Sequence, residues 1–175
     1  MEQFSELVRL RRSIRKFTPE PIAPDDVALI LRAALMAPTS KGTHSYEFIV
    51  VEDKAQLQAL AQCKMRGGEF VAEAPLAVVV GAAPEVSDVW IEDASVASTH
   101  ILLQAEDLGL GACWVQVRGR MDAEGGDAEE NVRQTLGLPP GLRILSIIAL
   151  GHKAALRKPQ DEERLLWEKV HVGRW

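Results

Sequence analysis

Residues Ser87 to Val117 read SDVWIEDASVASTHILLQAEDLGLGACWVQV, and the order of elements within this stretch decides the fold class. Ala94, Ala97, Ile101, Ala105 and Leu108 recur at helical spacing, while Val96, Leu102 and Leu103 carry apolar surface to other faces. Ser87 stands where an N-cap is needed, and Glu92 and Asp93 suit the positive end of the helix dipole. The spacing predicts a helix over 87–108. Gly109-Leu110-Gly111 ends it, and Ala112 to Val117 reads as a strand. A dinucleotide-binding glycine turn runs the other way: it follows a strand, opens a helix and carries a third glycine. That reading is excluded. Gly111 is most plainly part of a helix C-cap, with close approach of the backbone to something flat as the second reading. A helix apolar around most of its girth needs cover on more than one side. In so short a chain the second side points to a partner subunit, and the alanines permit close packing.

Working outward, Phe4, Leu7 and Val8 predict a helix over 2–11. Pro24-Asp25-Asp26 opens a second, carried by Val27, Ile30, Leu31, Ala34 and Leu35 and stopped by Pro38. Residues 38–45 form a polar loop before a strand over Tyr46 to Glu52. A short helix over Lys54 to Gln62 and a turn at Arg66-Gly67-Gly68 follow. Leu76 to Ala82 is a strand without polar alternation, as a strand covered on both faces requires. Downstream come an acidic, glycine-rich loop, a helix near 128–136, a strand over Ile144 to Leu150 and a last helix near 160–169. About four strands and five or six helices that do not alternate strictly define an α+β fold, with helices packed on a mixed or mostly antiparallel sheet.

The 175 residues are 47% apolar and 26% charged, an ordinary globular composition expected to form a single domain over 1–175. A net charge of -5 argues against nucleic acid as a partner. The longest apolar run, Leu76 to Ala83, is too short to span a bilayer, and Met1 to Glu6 lacks the apolar stretch of a signal peptide. A cytoplasmic protein without a membrane partner is expected. Cys63 and Cys113, far apart and outside any CxxC, are expected to be reduced and buried.

Against this acidic background, Arg11-Arg12-Ser13-Ile14-Arg15 is conspicuous. In an extended chain Arg11, Ser13 and Arg15 share one side, and guanidinium forks with a hydroxyl match phosphate oxygens. Spacing alone leaves an equal alternative, a solvated basic end complementing the helix dipole. Pro38-Thr39-Ser40-Lys41-Gly42-Thr43-His44-Ser45 could bind polar edges of a cofactor, though it lacks phosphate-loop spacing and reads equally as an ordinary polar turn. His44, His100, His152 and His171 show no metal-ligand spacing, so no metal site is expected. The acidic pairs Asp25-Asp26, Glu92-Asp93 and Glu129-Glu130 read as caps and solvated faces. Anion-binding groups without a catalytic acid, base or nucleophile fit a protein whose cofactor performs the reaction.

Taken in order, these segments resemble the short form of the FMN-dependent nitroreductase family. Arg-x-Ser-x-Arg with Phe17 resembles its phosphate motif, and Ala37-Pro38-Thr39-Ser40 with Tyr46 to Val51 resembles its second motif. Phe70 to Val80 is similar to the segment entering its next strand. Leu108 to Trp114 resembles the third motif, and Leu150-Gly151-His152 through Arg157-Lys158-Pro159 resembles the closing phosphate segment. The resemblance implies a homodimer with FMN at the subunit interface, NADH or NADPH as reductant, a small-molecule acceptor such as a nitroaromatic or quinone, and chemistry carried by flavin N5 without a catalytic side chain. It implies phosphate and ribityl contacts from Arg11, Ser13 and Arg15. Pro38, Thr39 and Ser40 would reach the flavin of the other subunit. Trp114, Val115 and Gln116 would lie along the isoalloxazine, and Arg157 or Lys158 on the phosphate. A tail over about 168–175 would extend onto the partner. Gly42 and His44 depart from the family pattern, and Arg66 to Phe70 has no clear counterpart. The same scaffold also supports dehydrogenation, reductive dehalogenation or flavin storage.

Overall fold

The computed structural model describes residues 4–175. Five α-helices, α1 (Phe4–Leu10), α2 (Pro24–Leu35), α3 (Lys54–Ala61), α4 (Trp90–Asp107) and α5 (Ala128–Leu136), accompany four strands, β1 (Tyr46–Val51), β2 (Leu76–Ala82), β3 (Gly111–Gln116) and β4 (Arg143–Gly151). The strands form one antiparallel sheet in the order β1-β2-β4-β3, so the α+β expectation holds and the sheet is wholly antiparallel. Residues 2 and 3 of the first predicted helix lie outside the described residues.

Every residue of β2 is buried, and the strand's period of two divides the core between two layers. Leu76, Val78, Val80 and Ala82 face the layer of α2 and α4, with Ile30, Ala34, Ala94, Ile101 and Ala105. Ala77 and Val79 face the other layer, with Leu57 and Leu60 of α3 and Val132 of α5. A strand covered on both faces has no water-facing side on which to place polar residues.

α4 lies across the sheet, and α2 and α1 of the same chain pack on it, with His100 Nδ1 3.0 Å from the Ala33 carbonyl oxygen. The cover expected from a partner subunit is thus supplied in part from within the chain. Ser87 does not cap α4: the N-cap position is Val89, and the Ser87 hydroxyl instead donates to Asp93 Oδ2 at 3.0 Å. The other end is a Schellman cap around Gly109 (φ 75°): Leu110 N–H donates to Ala105 O at 2.8 Å and Gly109 N–H to Glu106 O at 2.9 Å.

Gly111 is not part of that cap, and what comes close to its backbone is not a flat group but the Ile14 side chain. A Cβ there would come 2.7 Å from Ile14 Cγ2, and one on its ladder partner Gly151 would come 2.9 Å from Phe17 Cδ1. The glycine pair leaves a trough into which the extended segment after α1 lays Ile14 and Phe17. That segment bridges in parallel from Ser13 to Ala112 at the outer edge of β3, with Ile14 N–H donating to Ala112 O at 3.0 Å.

Two further expectations are corrected. Residues 160–169 form two separate 3-10 turns, Glu162–Arg164 and Trp167–Lys169, instead of one α-helix, and no residue there is buried. Without a packed apolar face, a segment this short does not hold an α-helix. The acids are not all solvated: Glu129 is 2% exposed and Asp93 5% exposed, each held by hydrogen bonds, whereas Asp25 and Glu130 are exposed. No described helix is long and apolar enough to cross a membrane.

Candidate functional site

The segment after α1 joins the sheet only through isolated bridges at Ser13 and Phe17, burying Ile14 and Phe17 and leaving Arg15 and Lys16 exposed. It is fastened to the chain's distant end by Thr18 N–H donating to His152 O and Ala154 N–H donating to Lys16 O, both at 3.0 Å. A cleft of about 270 Å³ results, lined by Ser13, Ile14, Arg15, Lys16 and, from the far end of the sequence, Ala155, Leu156 and Arg157. Cys113 lies in the field of this cluster. Burial pushes its thiol pKa upward, while Arg15, a Ser13 hydrogen bond, Arg11 and Arg157 pull the other way. The structure therefore brings Ser13, Arg15 and Arg157 into one cleft, while Arg11 does not line it.

Arg12 and Lys158 do something else. The Arg12 guanidinium donates to the carbonyl oxygens of Lys158 and Pro159, and Gln160 N–H donates to Arg9 O at 2.8 Å. These bonds strap the C-terminal segment to the N-terminal one and set Arg157, not Lys158, into the cleft. The Arg15 guanidinium sits 5.8 Å from the centroid of Phe70, a cation–π arrangement.

β3 is the outermost strand, so half its backbone groups have no ladder partner. Ala112 O accepts from Ile14 outside the sheet, and hydrogen-bonding direction repeats every second residue, so Trp114 and Gln116 also face outward. Gln116 O agrees, accepting from Lys64 Nζ at 3.1 Å. Val115 pairs with Ile147 of β4 and buries its side chain in the core. Trp114 is half-buried and donates its indole N–H to Gln116 Oε1 at 3.0 Å. The Ala112 and Gln116 carbonyls on this edge are already taken, so among the described residues the cleft opens onto the outward Trp114 backbone groups and the Gln116 N–H, a surface suited to a flat polar ligand with an anionic tail.

Pro38, Thr39 and Ser40 stand elsewhere. Ser40 N–H donates to Asp93 Oδ1 at 2.8 Å and His44 N–H to Thr39 Oγ1 at 3.2 Å, seating the loop at the start of α4. Ser13 pairs just beyond that helix's other end, about 20 Å away along its axis. The loop is strained, with Lys41 at φ 54° and His44 at φ 47°. Buried Thr43 Oγ1 and Ser45 Oγ have no hydrogen-bond partner among the described residues. Sequence reasoning passed over Asp93, the buried carboxylate that positions this loop. Its place beside Glu92 in a first turn looked like ordinary dipole chemistry, and only the fold carries residue 40 to it.

The sheet order and the basic cleft on its open edge define the protein class as an α+β domain of nitroreductase type. The family model described as "Nitroreductase family" matches residues 8–68 and 62–152, and the chain belongs to that family. It is similar to an FMN-dependent nitroreductase of Clostridium difficile R20291, 43% identical, with a TM-score of 0.94 covering 97% of this chain and 98% of the other. A Desulfovibrio desulfuricans structure solved in complex with FMN is 28% identical, with a TM-score of 0.80 covering 100% of this chain and 99% of the other. Among curated proteins, a Bacillus subtilis FMN reductase (NADPH) is 27% identical over 192 residues, covering 97% of this chain and 74% of that protein.

Proposed function

We propose that this chain is an FMN-dependent oxidoreductase that takes reducing equivalents from NAD(P)H and passes them to a nitroaromatic, quinone or similar small acceptor. The convergence of Ser13, Arg15 and Arg157 in one cleft beside the free edge of β3 carries this reading. The donors fit the group. Ser13 and Arg157 would hold the phosphate, and Arg11 would add to the positive field there. The outward backbone groups of Trp114 and the Gln116 N–H would meet the polar edge of the ring system. Arg15, turned toward Phe70, would balance negative charge on it. When bound, FMN supplies hydride acceptance and donation at N5. The protein's own part is to hold, orient and partly desolvate it, and reductant and acceptor would use one pocket in turn.

The site is completed by a second copy. Pro38, Thr39 and Ser40 lie too far from Ser13 to serve the same cleft within one chain, so they serve the partner's. Among the described residues the segment after Gln160 hydrogen-bonds only locally, and it leaves Trp167 at 70% and Val172 at 94% exposure, apolar surface that a partner would cover. The chain is then one FMN-binding domain over 1–175 with its last residues, about 168–175, on the partner, working as a cytoplasmic homodimer. Purified protein should be yellow, lose its colour anaerobically on addition of NADH or NADPH, and regain it with an acceptor. Protein that stays colourless and refuses added FMN would sink the proposal.

A further inference from the structure

A second basic cleft lies at the other end of β3. About 350 Å³ in volume, it is lined by Lys64, Met65, Arg66, Gly119, Arg120 and Met121. Its two loops are tied together by Met65 N–H donating to Met121 O at 2.9 Å, so the cations are presented as one set. Lys64 Nζ is held by Gln116 O at 3.1 Å, and Arg118 packs on Trp90 with its guanidinium 5.8 Å from the ring centroid. Arg66 and Arg120 are exposed, and among the described residues neither forms an ion pair.

Their nearest acidic neighbours in sequence are already committed. Glu69 turns both carboxylate oxygens to Gly67 N–H, at 3.0 and 2.8 Å. Asp122 accepts from Asn131 Nδ2 at 2.7 Å, Gly126 N–H at 2.8 Å and Glu124 N–H at 2.9 Å. In a chain of net charge -5, two arginines kept apart from carboxylates in one cleft form an anion site in waiting. Two guanidinium forks match the oxygens of a phosphomonoester dianion better than a single carboxylate.

The position selects among phosphate ligands. Ser13 pairs with Ala112 at one end of β3, and Lys64 meets Gln116 at the other. Four residues of strand separate them, about 13 Å. A ligand stacked along the free edge from the first cleft would reach the second with its far end or with a molecule laid over it. We infer that Arg66 and Arg120 bind the 2′-phosphate of the pyridine nucleotide and make NADPH, not NADH, the reductant. The inference rests on the function proposed above, because it presumes a pyridine nucleotide at this edge.

The test compares kcat/KM for NADPH and NADH at a fixed acceptor in the wild type and in the double variant Arg66→Ala with Arg120→Ala. Calorimetric titration of both proteins with 2′,5′-ADP and with 5′-AMP accompanies it. Both arginines are exposed, so the variant should fold, and unchanged flavin absorbance checks this. The wild type should favour NADPH by at least about tenfold, the scale of one charge-assisted hydrogen bond. The variant should lose that preference through NADPH alone and lose its tighter binding of 2′,5′-ADP. An NADH-preferring wild type, an equal loss with both nucleotides, or 2′,5′-ADP binding no tighter than 5′-AMP would each overturn the assignment. Protein without flavin would defeat the function proposed above and be recognised by colour alone. The titrations would still decide whether the cleft binds a phosphomonoester.

Discussion

Glu129 shows how much one side chain can hold. At 2% exposure its carboxylate accepts from Arg143 Nε and Nη2, each at 2.8 Å, and from Ile144 N–H at 3.1 Å. Burial works against its ionisation, but the Arg143 hydrogen bonds, the Ile144 N–H and the positive charges of Arg143 and Arg133 outweigh it and hold the pKa below the usual glutamate value. A depressed folded pKa contributes stability above the unfolded value, near 4.3, and that stability fades as pH falls through the folded pKa. Glu129→Gln should therefore lower stability at neutral pH by about 2 kcal/mol, since Arg143 is partly exposed and Ile144 N–H keeps an acceptor. Urea denaturation at a series of pH values should show the gap between variant and wild type closing in acid; a gap independent of pH would mean the charge contributes nothing. The same scale separates the closing basic pair. Arg157→Ala should weaken FMN retention by about tenfold, whereas Lys158→Ala should leave it within about twofold, because only its backbone carbonyl is engaged. Equal losses on equilibrium dialysis would place both side chains on the phosphate.

Among elements, the glycine pair across β3 and β4 governs how the basic segment is delivered. Gly111→Ala would set a Cβ 2.7 Å from Ile14 Cγ2 and 2.9 Å from Ile14 Cβ, close to the backbone and hard to relieve by rotation. The segment must lift, taking Ser13 and Arg15 with it, so both melting temperature and FMN affinity should fall. Gly109→Ala is the control: the new methyl meets nothing within 4 Å, but φ 75° is left-handed. It should lose about 1 kcal/mol of stability without changing FMN affinity. If the two variants behaved alike in flavin titrations, the trough would not be what positions the segment. The two glycines stand two residues apart, yet one answers to its own backbone angle and the other to a residue nearly a hundred positions earlier.

For the whole molecule, the decisive quantity is surface left over. Leu165, Leu166 and Trp167 are each more than half exposed, beyond the last anchor at Gln160. Removing residues 161–175 should convert a dimer to monomer in sedimentation velocity and lower flavin retention in parallel; a monomeric full-length chain would refute the two-copy site. Much of the architecture was legible in advance. The unbroken apolar run Leu76 to Ala82 pointed to a strand covered on both faces, helix-then-glycines-then-strand over 87–117 excluded a dinucleotide-binding glycine turn, and the non-alternating order of elements pointed to α+β. Arg-x-Ser-x-Arg marked a basic cluster after the first helix, for which spacing alone left a phosphate clamp and a solvated helix end equal, and only the resemblance favoured the clamp. These are local matters of spacing, backbone preference and charge, and a sequence carries them directly. The tertiary structure alone chose Arg157 over Lys158 for the cleft and gave Arg12 its partner, the Lys158 carbonyl. It alone placed Ser40 against Asp93 at the opposite end of α4 from Ser13, and left 160–169 without the packed face a helix needs. Those outcomes depend on long-range register and on which surfaces are covered, and no local pattern encodes a contact across more than a hundred residues.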